Sequence, residues 1–274
     1  MNPRSIDLDK LNTVTKYPSI ETFHTIGDRG RLKEELRQPL PPDDRKLYAT
    51  EKVDGANCRI VVFPSPDGGE PTFIIGSREE FLTARGDLIF NRVLGIVEAA
   101  RPWAEGIVRS TTLRLSTVMV YFVEVYGGEL PEARRYTGNK ASGVRLFDVM
   151  AFEPGELAQL LHSNSIEQLA AHRDHGGPKF LDFTTVERLA ESFQLPLVPH
   201  FELASRPPQD VRGTYEWLRE ILPGPTKVAL DGTPGKPEGL VLRTVDRKFI
   251  CKVRFEDYER TLRPNKLPVR VTYD

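Results

Sequence analysis

Residues 47–63 read Leu47-Tyr48-Ala49-Thr50-Glu51-Lys52-Val53-Asp54-Gly55-Ala56-Asn57-Cys58-Arg59-Ile60-Val61-Val62-Phe63, an apolar and β-branched run broken once, at Asp54-Gly55. Such a composition predicts strand, and Asp-Gly is a turn signal. Lys52 therefore sits where a strand meets a turn. Glu51 and Asp54 flank it, and Gly55 lets backbone approach a ligand closely. A lysine amine is a nucleophile only when neutral. From an unperturbed pKa of about 10.4, neutrality at pH 7 costs roughly 4–5 kcal/mol. A site that uses the amine must desolvate it or set cations beside it. The Lys-x-Asp-Gly pattern also suits an ordinary hairpin turn, so alone it is a weak signal.

Outward from this run, Pro64–Gly69 reads as a turn and Thr72–Ile75 as the returning strand of a hairpin. Residues 87–103 carry Leu88, Ile89, Val93, Leu94, Ile96 and Val97 at helical spacing. Thr117–Tyr126 and Val144–Phe152 are strong strand candidates, and the loop between them holds Arg134, Arg135 and Lys140. Helices are expected at Glu156–Leu161, Ile166–His172, Thr185–Phe193 and Asp210–Leu222, the third opened by a Thr184–Glu187 capping box. Gly239–Thr244 and Lys248–Phe255 close the pattern as strands. Residues 1–46 are polar and turn-rich, with an irregular connector at Gln38–Asp44. Together these predict an α+β fold of mostly antiparallel sheets with flanking helices. Residues 1–46 would pack on a core spanning 47–260, a helical insert would occupy about 155–222, and 261–274 would form a short tail.

The chain has 274 residues, 39% hydrophobic and 28% charged, a globular balance with a net charge of −1. A broadly basic nucleic-acid-binding face is disfavoured, whereas a local basic groove is permitted. Cys58 and Cys251 lie in strand-like runs and read as small apolar fillers rather than zinc ligands or a disulfide. His172-x-x-His175 has metal-like spacing but no further ligands near it, and reads as a helix end. The N-terminus has no apolar stretch, and no run approaches the roughly 18 apolar residues of a membrane span. The expectation is a soluble cytoplasmic protein with no membrane partner.

Five further motifs follow Lys52 in order: Ser77-Arg78, Tyr121-Phe122-Val123-Glu124-Val125-Tyr126-Gly127, Arg145-Leu146-Phe147-Asp148-Val149, Pro237-Glu238-Gly239-Leu240-Val241-Leu242 and Ile250-Cys251-Lys252-Val253-Arg254. With these the sequence resembles the covalent nucleotidyltransferase superfamily of ligases and mRNA capping enzymes. Within it the likeness is to RNA ligases of the phage T4 RNA ligase 2 type, and it runs from about Lys16 to Tyr258. The resemblance implies an ATP-grasp-like ligase adenylation domain. It implies an ATP-dependent RNA ligase that joins 5′-phosphate and 3′-OH ends through lysyl-AMP and RNA-adenylate, with Mg²⁺ or Mn²⁺ as metal.

By the same resemblance Lys52 is the nucleophile, and Lys252 and Arg254 are cations that neutralise the α-phosphate. Glu51, Asn57, Arg78, Glu124, Phe147, Glu238 and Lys252 would line the nucleotide, Glu124 on the ribose hydroxyls and Phe147 stacked on adenine. Glu238 would help hold metal. Arg78, Arg134, Arg135 and Lys140 would meet RNA or a nicked duplex, and Lys16-Tyr17-Pro18 resembles a segment near the nucleotide. Plainer readings remain beside these: a surface arginine for Arg78, a core ring for Phe147, a turn residue for Glu238. The family's last motif is Lys-x-Lys where this chain has Lys252-Val253-Arg254. A register set by Cys251 would instead pair Ile250 with Lys252.

Relatives usually carry a further domain, often an OB-fold. The 20 residues after Arg254 (255–274) are too few for one, so a core without a separate OB-fold is expected. Self-adenylylation is then better supported than sealing. Three alternatives stand beside the RNA ligase: a capping-type guanylyltransferase using GTP, a minimal core acting on DNA nicks, and a non-catalytic RNA-binding module. Against the last stand the intact Lys52, Glu124, Glu238 and Lys252.

Overall fold

Asp54 and Gly55 do not close a hairpin. They carry the chain out of one sheet and into another. The computed structural model describes residues 5–65, 69–84, 95–110, 116–233 and 235–263. In chain order the elements are α1 (Leu8–Val14), β1 (His24–Ile26), β2 (Leu32–Leu36), β3 (Tyr48–Lys52), β4 (Ala56–Phe63), β5 (Thr72–Ser77), β6 (Phe81–Ala84) and α2 (Ile96–Arg109). They continue with β7 (Val118–Gly127), β8 (Ser142–Phe152), α3 (Pro154–Ser163), α4 (Ile166–Asp174), β9 (Lys179–Phe180), α5 (Phe183–Ser192), β10 (His200–Glu202), α6 (Val211–Ile221), β11 (Gly239–Arg243), β12 (Ile250–Arg254) and α7 (Phe255–Leu262).

A six-stranded sheet has the order β6-β5-β4-β7-β8-β9, a four-stranded sheet the order β10-β3-β11-β12, and β1 pairs with β2. The paired strands are antiparallel, as expected for an α+β chain. Alternation along β4 explains how the large sheet is clothed. Cys58, Ile60 and Val62 join a core with α2 and α5, whereas Val61 and Phe63 join one with α1, α3 and α4. Because both faces are covered, β7 is apolar throughout except at Glu124. The small sheet buries one face, with Ala49, Leu240, Leu242, Cys251 and Val253, beneath α6 and α7. The two cysteines are free and buried, one in each sheet.

Several expectations change. Residues 155–222 form no insert set apart: β9 extends the large sheet, β10 pairs with β3, and α5 and α6 belong to the two cores. The cap of α5 is Asp182, whose carboxylate accepts from the Thr185 amide at 2.9 Å, rather than Thr184. A capping box occurs at α4 instead, between Ser165 and Gln168. Of the helix expected over 87–103, the part before 95 lies outside the described residues, and α2 continues past Pro102 to Arg109. The 261–274 tail is described only to Arg263, within and just after α7. Among the described residues no helix is long and apolar enough to cross a membrane.

Candidate active site

A cleft of about 480 Å³ opens between the two sheets, and Lys52 lines it as the last residue of β3. Strand register arranges its charged wall. Gly239 pairs with Lys52 on one side and Arg254 on the other, while Val241 pairs with Thr50 and Lys252. Residues directly opposite in a ladder share a face, so Lys52, Lys252 and Arg254 stand on the face turned from the α6–α7 core. Ile250 follows on the same face and also lines the cleft. Thus the cations beside Lys52 are Lys252 and Arg254, and Ile250 adds an apolar wall one row on.

The Lys52 amine lies 2.5 Å from Glu238 Oε2. Burial raises the Glu238 pKa, and the Lys52 charge opposes that rise. Burial lowers the Lys252 pKa, with Arg254 and then Lys52 adding to the effect. Arg254 is held by a fork: its Nε and Nη2 donate to the Asp257 carboxylate at 2.8 Å each, and Nη1 lies 3.7 Å from Glu238. Asp257 was not foreseen, because its place in α7 was masked by the strand-like reading that precedes it.

Across the cleft, β4 and β7 bring Asn57 and Glu124 opposite each other. Both line the cavity, and the buried Asn57 Oδ1 has no hydrogen-bond partner among the described residues. Burial pushes the Glu124 pKa up to about 8, against the pull of Lys52. Gly55 packs so closely that a Cβ there would meet the Val125 carbonyl oxygen at 2.2 Å, which explains the glycine after Asp54. The Asp54 amide donates to Tyr136 Oη at 2.6 Å.

Phe147 owes its position to a bulge. Phe122 pairs with Asp148 and Val123 with Leu146, so Phe147 is the extra residue. The alternation breaks, and Phe147 and Asp148 both turn toward Tyr17. The Phe147 and Tyr17 rings meet edge to face at 5.1 Å, and both line the cleft. Asp148 accepts from Tyr17 Oη at 2.9 Å, from Arg247 Nε at 2.8 Å and from Arg243 Nη1 at 3.3 Å. Sequence reasoning missed this cluster. The signal was an aspartate in an apolar strand, which requires buried partners.

Of the other expected site residues, Glu51 and Arg78 also line the cleft. The Glu51 carboxylate accepts from the Thr226 hydroxyl and from the Lys227 amide at 3.1 Å. Arg78 lines the cleft with its side chain largely exposed, and donates to Ser19 Oγ at 3.2 Å. Arg135 is half-buried, 3.4 Å from Asp54 and 3.2 Å from Glu132. Arg134 and Lys140 are exposed, and neither lines the cleft. His172 and His175 lie at the end of α4, and no cluster of three metal-ligating side chains occurs among the described residues. A hard divalent cation takes oxygen ligands, and the Glu238 carboxylate beside Lys52 offers one.

Residues 45–255 match the family described as RNA ligase. No curated protein sequence matches the chain. Among solved structures the chain is similar to a Naegleria gruberi RNA ligase with PPi, at 16% identity and a TM-score of 0.52, covering 91% of this chain and 58% of that one. It is likewise similar to a lysine-to-alanine variant of that ligase with ATP and Mn, at 17% identity and a TM-score of 0.51, covering 90% and 62%. At these identities the likeness is one of fold. The chain spans about three fifths of the length of these structures.

Proposed function

We propose that this chain, which belongs to the RNA ligase family, is an ATP-dependent RNA ligase with Lys52 as its covalent nucleophile. The observation that carries the reading is the Lys52 amine at the edge of a nucleotide-sized cleft, 2.5 Å from Glu238 and on one sheet face with Lys252. Adenine would lie against Phe147, with the ribose hydroxyls toward Glu124. The α-phosphate would come to rest between Lys52 and Lys252. Lys52 sheds a proton to solvent before it attacks, and Glu238, 2.5 Å away, is the carboxylate that orients its amine.

The Lys52 nitrogen then attacks the α-phosphorus. An N–P bond forms, the bond to the bridging oxygen breaks, and pyrophosphate leaves. Charge accumulates on the phosphoryl oxygens during this exchange, where a fixed cation such as Lys252 contributes most. A 5′-phosphate oxygen of RNA attacks the same phosphorus, freeing Lys52 and giving RNA-adenylate. The 3′-OH attacks the 5′-phosphorus, and AMP leaves. Glu238 would be the carboxylate to hold Mg²⁺ or Mn²⁺, which would supply further charge neutralisation.

The substrate we infer is RNA ends, including those of a nicked duplex. The test is incubation with labelled ATP or GTP and a divalent ion, followed by a denaturing gel and then sealing assays on nicked RNA and DNA. An adduct with ATP that vanishes in Lys52→Ala, together with sealing of RNA, supports the reading. An adduct that forms only with GTP, or that survives Lys52→Ala, overturns it.

A further inference from the structure

Arg59 heads the fully buried side chains by volume, at 0% exposure. It stands on β4 two residues beyond Asn57, hence on the same sheet face, beneath the loop joining β5 to β6. A buried guanidinium ordinarily has a carboxylate partner. Here its contacts are otherwise. Nη1 donates to the Arg78 carbonyl at 3.2 Å, Nη2 donates to Asn12 Oδ1, and the buried Nε has no partner among the described residues. The Phe81 ring lies 4.9 Å from its Cζ. Asn12 in turn donates to the Glu79 carbonyl at 3.0 Å. Two consecutive carbonyls of the loop, those of Arg78 and Glu79, are therefore gripped from below by one guanidinium and one amide.

Gly76, directly across from Arg59 in the ladder, makes the room. A Cβ at Gly76 would come within 3.0 Å of Arg59 Nε and of Phe81, and within 3.1 Å of the Glu80 carbonyl oxygen. The Arg78 side chain has little to orient it beyond Ser19, at 3.2 Å, and Glu79, at 3.7 Å. The Arg78 backbone, from which that side chain departs, is held at its carbonyl by Arg59.

We propose that Arg59 is a positioning residue for Arg78: the buried guanidinium holds the Arg78 carbonyl and so fixes where the Arg78 side chain meets anionic ligand at the mouth of the cleft. The inference rests on the ligase reading for its catalytic consequence. The grip itself is read from Arg59, Asn12 and Gly76, which lie outside the motifs that carry the resemblance.

The test is a double-mutant cycle with Arg59→Met, Arg78→Ala and the pair. Lysyl-AMP formation, single-turnover sealing of a nicked RNA duplex, equilibrium ATP binding and melting temperature are read for each. Arg59→Met is expected to slow the step that Arg78→Ala slows, by roughly tenfold, and to add nothing in the Arg78→Ala background. Arg59→Lys, which keeps one donor for the carbonyl, is expected to recover part of the loss. Should Arg59→Met not fold, Asn12→Ala and Gly76→Ala disturb the same grip from either side and are expected to show the same pattern. Effects that multiply in the double variant, or wild-type rates in Arg59→Met, would overturn the proposal. A wild-type chain that forms no ATP adduct would instead count against the ligase reading, and the coupling would still be decided by ATP binding.

Discussion

Lys252 and Lys248 are four residues apart in one stretch of chain, yet of the two Lys252 alone lines the cleft. Lys252 lines the cleft on the face shared with Lys52, whereas Lys248 is exposed and lies 3.8 Å from Asp246 in the turn before β12. Lys252→Ala is expected to slow adduct formation by on the order of 10²–10³, the usual cost of losing one preorganised charge donor. Lys248→Ala should react at nearly the wild-type rate, and equal loss in the two would show that strand register does not govern this wall. Glu124 offers a different test, because its pKa is lifted by burial from 4.5 to about 8. Between those values the folded state holds a proton that the unfolded state has lost. Stability therefore falls as pH rises through that window. Glu124→Gln should melt higher than wild type at pH 8 and lose that advantage near pH 5, as thermal melts of the ligand-free protein would reveal. The same variant should bind ATP less well. A gain that is equal at both pH values would mean that burial does not perturb Glu124.

Elements were legible where periodicity was strong and blank where they were short. β7 and β8 were expected at Thr117–Tyr126 and Val144–Phe152 and are found at Val118–Gly127 and Ser142–Phe152. The three-residue β1 and β10 and the two-residue β9 are too short to show alternation, and they exist because neighbouring strands complete them. Helix α7 carries Phe255, Tyr258 and Leu262 at helical spacing, but the strand signal of Ile250–Arg254 ran into it. The bulge at Phe147 leaves no mark in composition, which is why its ring was open to a plain core reading. Phe147→Ala should raise the KM for ATP in adduct formation by the equivalent of roughly 1–3 kcal/mol, the worth of one base stack, while the protein still melts cooperatively. Loss of the fold would return Phe147 to the core. The cap of α5 gives a stability counterpart. Asp182→Ala should cost about 1 kcal/mol in denaturant unfolding and Thr184→Ala less, because the Asp182 carboxylate satisfies the Thr185 amide.

On the scale of the molecule, the Lys-x-Asp-Gly break was visible in sequence, whereas the division it makes between two sheets was not. Nothing in residues 47–63 states that β3 will pair with β10 and β11 while β4 pairs with β5 and β7. That pairing puts Lys52 and Glu124 on opposite walls of one cleft. On the proposed ligase reading it also bears on which basic residues would meet nucleic acid on a chain of net charge −1. Arg135 is drawn to Asp54 and Glu132, and Lys16 to Glu79 at 3.2 Å. Arg78, Arg134 and Lys140 keep exposed side chains, Arg78 at 3.7 Å from Glu79 and Lys140 at 3.9 Å from Glu129 in looser pairs. Phosphate contacts release condensed counterions, so each adds about 0.7 to the salt slope on a single strand and about 0.9 on a duplex. Three contacts predict a slope in log K against log salt of roughly −2 to −3. Binding to a nicked duplex should therefore weaken about fortyfold between 50 and 200 mM salt, while adduct formation with ATP changes little. Arg134→Ala should reduce that slope by about one and leave the adduct intact. Arg135→Ala should act the other way, leaving the slope nearly unchanged while slowing adduct formation, because it releases Asp54 beside Lys52. Fluorescence anisotropy across a salt series, read beside an adduct gel, separates the two. A reversed pattern would place Arg135 on the nucleic acid and Arg134 outside it.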